Sequence, residues 1–153
     1  MSFALAASPS PLELEGYASL FGVEDLSGDI VRAGAFRASI AMLRGGIPMF
    51  VRHDPKLVAG RWLELKEDGR GLYVRGHLDF SLPGAALARR LIARGVDGLS
   101  IGFITRAARR LQKGRELTEI EIVEVSLVDF PMLPQARLTH VHTNLAGSPA
   151  IGV

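Results

Sequence analysis

The sequence contains no cysteine and no long apolar run, and its charges nearly balance. The absence of cysteine excludes disulfide bonds, a thiolate nucleophile and metal sites built on cysteine, and it is compatible with a reducing compartment. Eighteen lysines and arginines against sixteen aspartates and glutamates give a formal charge of +2, which predicts neither nucleic-acid binding nor attachment to a membrane. Any nucleophile in this chain must therefore be an oxygen or an amine.

The length and composition predict one globular domain. A chain of 153 residues with 48% hydrophobic content suits a single core. Residues 1–11 are uncharged and interrupted by Pro9 and Pro11, so we expect a flexible N-terminal arm rather than a cleaved export signal. Residues 139–153 are small and uncharged apart from two histidines, which predicts a flexible C-terminal tail. The predicted domain spans residues 12–138.

Hydrophobic periodicity predicts a mainly β chain with two helices. Several segments alternate between apolar and polar side chains or form short apolar runs, which is typical of strands. Residues 81–95 repeat apolar side chains at helical spacing and end on Gly95, and residues 34–43 form a shorter segment of the same kind. The predicted strands that carry the argument are residues 12–21, 47–53, 58–64, 71–80, 98–103 and 117–129.

One hydroxyl stands out in the short apolar strand 98–103. The pleat places Ser100 on the face opposite the large side chains, and Gly98 and Gly102 flank it on that face. Two missing Cβ atoms leave room for another backbone or a ligand to approach the hydroxyl. Ser100 is therefore a candidate nucleophile, and the alternative is a core strand with one hydrogen-bonded serine.

Two further polar groups lie among apolar strand residues. His53 closes an apolar row on strand 47–53, and Glu124 shares a largely apolar face of strand 117–129. A serine hydroxyl is a poor nucleophile unless a base takes its proton, and a third group best fixes and stabilises that base. Ser100, His53 and Glu124 could fill these three roles. His53 could equally be a hydrogen-bonded histidine without a catalytic role.

Four segments in order resemble the tailed-bacteriophage prohead (procapsid) maturation protease family, over residues 14–136. Each segment alone is a weak signal, but the four in this order and spacing are specific. The resemblance implies a fold related to the herpesvirus capsid-maturation protease (assemblin), which is a closed, mostly antiparallel β-barrel with surrounding helices (mainly β, α+β). The segments are Gly16–Phe21 (GYASLF), Met49–Asp54 (MFVRHD), Gly98–Phe103 (GLSIGF) and Glu124–Pro131 (EVSLVDFP).

The same resemblance implies a serine endopeptidase that works without a cofactor. It would act inside the immature capsid, in the cytoplasm of a bacterial host, on the scaffold protein or on the scaffolding segment of the major capsid protein. Cleavage of the protease itself is also implied. A monomer, a homodimer like those of the herpesvirus relatives and a form that depends on the scaffold all stay open. A true phage and a domesticated particle-forming element both fit the sequence.

By resemblance, the family's nucleophile falls on Ser100 and its general base on His53. The matching final strand offers Glu124 as the third member, and side-chain parity favours it over Glu121 on the opposite face. The herpesvirus relatives use a second histidine instead, which keeps His140 open. Backbone N–H groups at residues 135–137 are the hypothesis for the oxyanion hole.

Two interpretations from other classes remain open. In the first, the chain is a non-enzymatic β-barrel, such as a capsid-assembly scaffold or binding module, and Ser100 and His53 are core polar residues. In the second, the pairs His53–Asp54 and His77–Asp79 together hold a divalent metal ion. Labelling by a serine-directed phosphonate argues against the first, and activity that survives chelation argues against the second.

Overall fold

The structure is a computed structural model that describes residues 12–143. The arm predicted at residues 1–11 and residues 144–153 of the predicted tail lie outside the described residues. The described part contains two helices and eight strands. These are β1 (Leu12–Leu20), β2 (Ile30–Val31), α1 (Arg37–Met42), β3 (Ile47–Val51), β4 (Asp54–Glu67), β5 (Gly71–Leu78), α2 (Ala85–Ala93), β6 (Gly98–Arg110), β7 (Arg115–Val128) and β8 (Leu138–Thr143).

The strands form one sheet in the order β2-β7-β3-β4-β5-β1-β8, and β6 pairs with β7. Most pairs are antiparallel, whereas β2 and β3 run parallel to β7. The prediction of a mainly β fold with helices is confirmed. The prediction of a closed barrel is wrong, because among residues 12–143 no strand pairing joins β6 to β1.

Residues 136–138, which lead into β8, lie in the gap where a barrel would close. The Leu99 N–H donates to the Ala136 carbonyl (2.9 Å), and the Leu138 N–H donates to the Asp97 carbonyl (2.8 Å). On the other side, the Tyr17 N–H donates to the carbonyl of Arg137 (3.1 Å). Backbone hydrogen bonds to this segment therefore replace a direct ladder between β1 and β6.

Residues 139–143, which the sequence assigned to a flexible tail, lie instead in β8 and pair antiparallel with β1. Their β-branched residues Thr139, Val141 and Thr143 suit an extended strand. On this strand His140 contacts Glu15 of β1, with 3.0 Å between Nδ1 and Oε1. The length and polarity of residues 139–143 did not indicate that they pair with β1.

The buried side chains of β1 to β7 and of α2 form one hydrophobic cluster. Its largest member is Trp62 on β4, which is fully buried. The Trp62 indole N–H donates to the carbonyl of Val125 on β7 (3.0 Å), which satisfies its polar atom within the core. The core thus fixes β7, which carries Glu124. No helix within residues 12–143 has the length and apolar character that crossing a membrane requires.

Candidate active site

His53 lies in a tight turn between β3 and β4, not in a strand as the sequence predicted. Val51 pairs with Asp54, and the two residues between them have positive φ angles, 53° for Arg52 and 60° for His53. Such turns favour Asn-Gly, because a side chain in the left-handed region costs about 1–3 kcal/mol. Contacts with β7 and the residue that follows it offset this strain. The Arg52 N–H donates to the Leu127 carbonyl (2.9 Å), and the Arg52 guanidinium pairs with Asp129 (2.7 Å).

This turn brings the His53 ring against the Glu124 carboxylate. Nδ1 of His53 forms a short hydrogen bond with Oε1 of Glu124, whose side chain is only 6% exposed. The tautomer that donates from Nδ1 leaves Nε2 free to accept a proton. The hydrogen bond to Glu124 raises the pKa of His53, and partial burial opposes this effect. Glu124 is therefore placed to stabilise a protonated His53.

Gly102 provides the space that the Glu124 side chain occupies. The two residues are paired across β6 and β7, and a Cβ built on Gly102 would lie 2.8 Å from Cδ and 2.9 Å from Cγ of Glu124. Real Cβ atoms do not approach other atoms this closely. A Cβ on Gly98 would lie 2.5 Å from the carbonyl oxygen of Val128 on β7 and 2.8 Å from the ring of Pro131. Of the two possibilities predicted from the sequence, the close approach of another backbone is thus found at Gly98, whereas at Gly102 the space is filled by the Glu124 side chain.

Ser100 lies on β6, directly opposite Ser126 of β7, and is 9% exposed. Ser100 and His53 line the same cavity, which has a volume of about 240 Å³. Among residues 12–143 no hydrogen bond joins the Ser100 hydroxyl to His53. Hydrogen bonds between catalytic groups are often long in the absence of substrate and shorten when it binds. Much of the remaining lining is apolar, including Val31, Leu99, Phe103 and Leu117.

The other candidates for the third member lie elsewhere. Glu121 forms an ion pair with Arg106 (2.6 Å) on the exposed face of β7. His140 contacts Glu15 and stacks on the ring of His142. Of the three candidates, Glu124 is the one that contacts His53 in the described part of the chain.

One of the N–H groups considered for the oxyanion hole already has a partner. Among residues 135–137, the Ala136 N–H donates to the carbonyl of Leu133 (2.9 Å).

The carboxylates of the predicted metal site bind backbone groups near them. Asp54 accepts the backbone N–H of Lys56, and Asp79 accepts that of Ser81. Within the described ranges, no group of three or more His, Asp or Glu residues is arranged to hold a metal ion. The two His–Asp pairs therefore do not form a joint site.

Ser126 contacts two of the candidate site residues, and the sequence alone did not single it out. Its hydroxyl donates to Oε2 of Glu124 (2.6 Å) and accepts the backbone N–H of His53 (3.0 Å). The available signal was parity, since Glu124 and Ser126 are two residues apart on one strand and so share a face.

Together, these observations define a class: a mainly antiparallel β protein in which a serine and a histidine line one cavity and a buried glutamate holds the histidine. The family model described as "Caudovirus prohead serine protease" matches residues 5–148. The chain belongs to this family. It is 38% identical over 129 residues to the prohead protease of Enterobacteria phage HK97, covering 81% of this chain and 57% of that protein. The chain thus spans little more than half the length of this relative.

Solved structures show the same fold at low sequence identity. The capsid assembly protease of bacteriophage T4 matches with a TM-score of 0.62 and 14% identity, over 77% of this chain and 81% of that chain. The KSHV protease, solved with a hexapeptide phosphonate inhibitor, matches with a TM-score of 0.54 and 16% identity, over 84% of this chain and 64% of that chain. At this identity the likeness concerns the fold alone.

Proposed function

We propose that this chain is a serine endopeptidase of the prohead maturation type, with Ser100 as nucleophile, His53 as general base and Glu124 as the third member. The observation that carries the proposal is the contact of His53 with the buried Glu124 at the cavity lined by Ser100. Membership of the prohead protease family supports the peptidase activity.

In the proposed reaction, His53 Nε2 takes the proton of the Ser100 hydroxyl as the oxygen attacks a substrate peptide carbonyl. The carboxylate of Glu124 stabilises the imidazolium that results. His53 then gives the proton to the leaving amine, and an acyl-enzyme forms on Ser100. Water, deprotonated by the same histidine, hydrolyses the ester and restores the enzyme. No step requires a cofactor or a metal ion.

The proposed substrates are proteins of the immature capsid. A relative is named a prohead protease, and a structural neighbour is a capsid assembly protease. We therefore propose that the chain cleaves the scaffold protein or the scaffolding segment of the major capsid protein, and itself, inside the prohead in the bacterial host. Action as a homodimer stays a prediction.

The proposal is tested by labelling with a serine-directed phosphonate and by intact mass over time. We expect the wild-type chain to gain the mass of one phosphonate on Ser100 and to cleave a co-expressed capsid precursor, also in the presence of a chelator. A folded chain that neither labels nor cleaves would instead support the non-enzymatic scaffold. Loss of cleavage when a chelator is added would instead support a mechanism that depends on a metal ion.

The pH dependence of cleavage should report the contact between His53 and Glu124. Because the base must be neutral, kcat/KM should rise with pH through the raised pKa of His53, above the ordinary value of 6.5. Glu124→Gln replaces the charged hydrogen-bond acceptor that raises this pKa with a neutral amide, so the rise should move to lower pH. We expect kcat to fall about 10²- to 10⁴-fold, measured with a peptide substrate.

Glu121→Gln is the matched control, since Glu121 lies on the same strand but is paired with Arg106 at the surface. It should leave both kcat and the pH profile unchanged. If Glu121→Gln is inactive and Glu124→Gln is active, the assignment of the third member is wrong.

A further inference from the structure

Resting on the proposed function, we propose that Ser126 is a positioning residue that fixes the histidine and the carboxylate relative to each other. The Ser126 side chain is fully buried on β7. It does not contact the cavity, so it acts through His53 and Glu124 rather than on the substrate. Neither the family match nor the likeness to solved structures assigns it a role.

The argument begins with the two hydrogen bonds of one hydroxyl. As donor, Ser126 Oγ binds Oε2 of Glu124 at 2.6 Å, and as acceptor it binds the His53 backbone N–H at 3.0 Å. A hydroxyl offers a single proton and two lone pairs, so the donor of Ser126 is fully committed. The hydroxyl therefore links the backbone that carries the ring to the carboxylate that the ring contacts.

The second step concerns the carboxylate. The terminal torsion of a glutamate is broad, so a carboxylate held at one oxygen can rotate. In Glu124 both oxygens are held, Oε1 by the His53 ring and Oε2 by Ser126. The Glu124 carboxylate fills the space that a Cβ on Gly102 would occupy, and these two hydrogen bonds hold its plane. A catalytic group must keep its geometry within a fraction of an ångström, and such supporting hydrogen bonds provide this.

The third step concerns the turn. His53 has a left-handed backbone with φ of 60°, and Arg52 before it is left-handed as well. A turn in this conformation persists only when its surroundings determine it. The bond from the His53 N–H to Ser126 is one of the contacts that do so, alongside the contacts of Arg52. Losing the hydroxyl would loosen the turn and the carboxylate together.

Removing only the Ser126 hydroxyl adds no charged group near His53 and removes none. Glu124 faces the ring from β7. Arg52, which precedes His53, is paired with Asp129 just after β7. A change in the titration of His53 would therefore reflect the geometry of its contact with Glu124.

The experiment compares Ser126→Ala and Ser126→Cys with Ser39→Ala in the full chain. Cysteine nearly preserves the side-chain volume but hydrogen-bonds weakly. Ser126→Cys therefore separates the loss of the hydrogen bonds from the loss of packing volume. Ser39 is a matched control, because its buried hydroxyl accepts the N–H of Ile122 on the same strand β7 (2.9 Å) but lies away from His53. Each variant is measured by thermal unfolding, by kcat and KM on a peptide, and by NMR titration of His53.

We expect both Ser126 variants to lower kcat about 10- to 100-fold with KM changed less than twofold. The His53 pKa should fall towards its ordinary value, and the low-field signal of its Nδ1 proton should broaden. Ser39→Ala should lower the melting temperature about as much as the Ser126 variants do, but it should leave kcat and the His53 pKa unchanged. Since the titration needs no turnover, it remains informative even if a variant is inactive.

The outcomes separate this inference from the proposed function. An unmoved His53 pKa and kcat in both Ser126 variants would overturn the positioning role, as would an equal loss of kcat in Ser39→Ala. A wild-type chain that cleaves nothing would contradict the proposed peptidase. If the chain cleaved nothing but the His53 pKa still fell in the Ser126 variants, the positioning role would stand although the proposed peptidase activity had failed.

Discussion

Replacing Ser100 with alanine should abolish cleavage while leaving the fold intact. The hydroxyl is the proposed nucleophile, so its removal leaves His53 and Glu124 without a group to activate, and we expect kcat/KM to fall by about 10⁴-fold or more. Among the described residues the Ser100 hydroxyl has no hydrogen-bond partner, so the free energy of unfolding should change by less than about 1 kcal/mol. Cleavage of a capsid precursor and thermal unfolding are the measurements.

Thr118→Ala serves as the control for Ser100→Ala. Thr118 is an exposed residue on β7 whose hydroxyl donates to the Ala107 carbonyl (3.3 Å). This variant should cleave and take up the phosphonate like the wild type. Cleavage or labelling retained by a purified, folded Ser100→Ala chain would exclude Ser100 as the nucleophile.

Replacing Gly102 with alanine should inactivate the protein through Glu124, although the new methyl group carries no chemistry. The added Cβ would lie within 3 Å of the side-chain carbons of Glu124, so the carboxylate must move away from His53. The backbone of Gly102 needs no left-handed conformation, so alanine introduces no strain of its own there. We expect kcat to fall about as far as in Glu124→Gln, and the His53 pKa to drop.

Gly69→Ala is the control for Gly102→Ala, because a Cβ at Gly69 meets no atom within 4 Å. It should leave kcat and the His53 titration unchanged. A fully active Gly102→Ala chain would mean that the Glu124 carboxylate is not needed where the structure places it. Thermal unfolding of both variants distinguishes a displaced carboxylate from general unfolding, since only a folded chain shows a cooperative transition.

The sequence alone singled out the candidate site residues but did not predict their contacts. Parity along strand 117–129 separated Glu124 from Glu121, because side chains alternate across a strand without reference to its partners. The contact between Glu124 and His53 joins residues 71 positions apart. It depends on the parallel pairing of β3 with β7, and strand order cannot be read from periodicity. The role of Ser126 was missed for the same reason.

The strand predicted at His53 and the closed barrel were both wrong, because the sequence of these segments does not show the tertiary contacts that determine them. Arg52 and His53 are not the glycine or asparagine typical of a turn of this type. Contacts with β7 and Asp129 offset the strain of their left-handed backbone. The closed barrel came from resemblance, and the alternating pattern of β1 and β6 gave no sign that residues 136–138 lie between them. Tertiary contacts decided both features.

Residues 136–138 connect β1 and β6 through main-chain hydrogen bonds. Because main-chain groups form these bonds, inserting or deleting one residue in this segment should change which residues of β1 and β6 face each other. Ala18 and Ser19 on one wall of the cavity and Leu99 and Ser100 on the other would then lose their present alignment. The alignment of the two strands thus depends on the length of this connection.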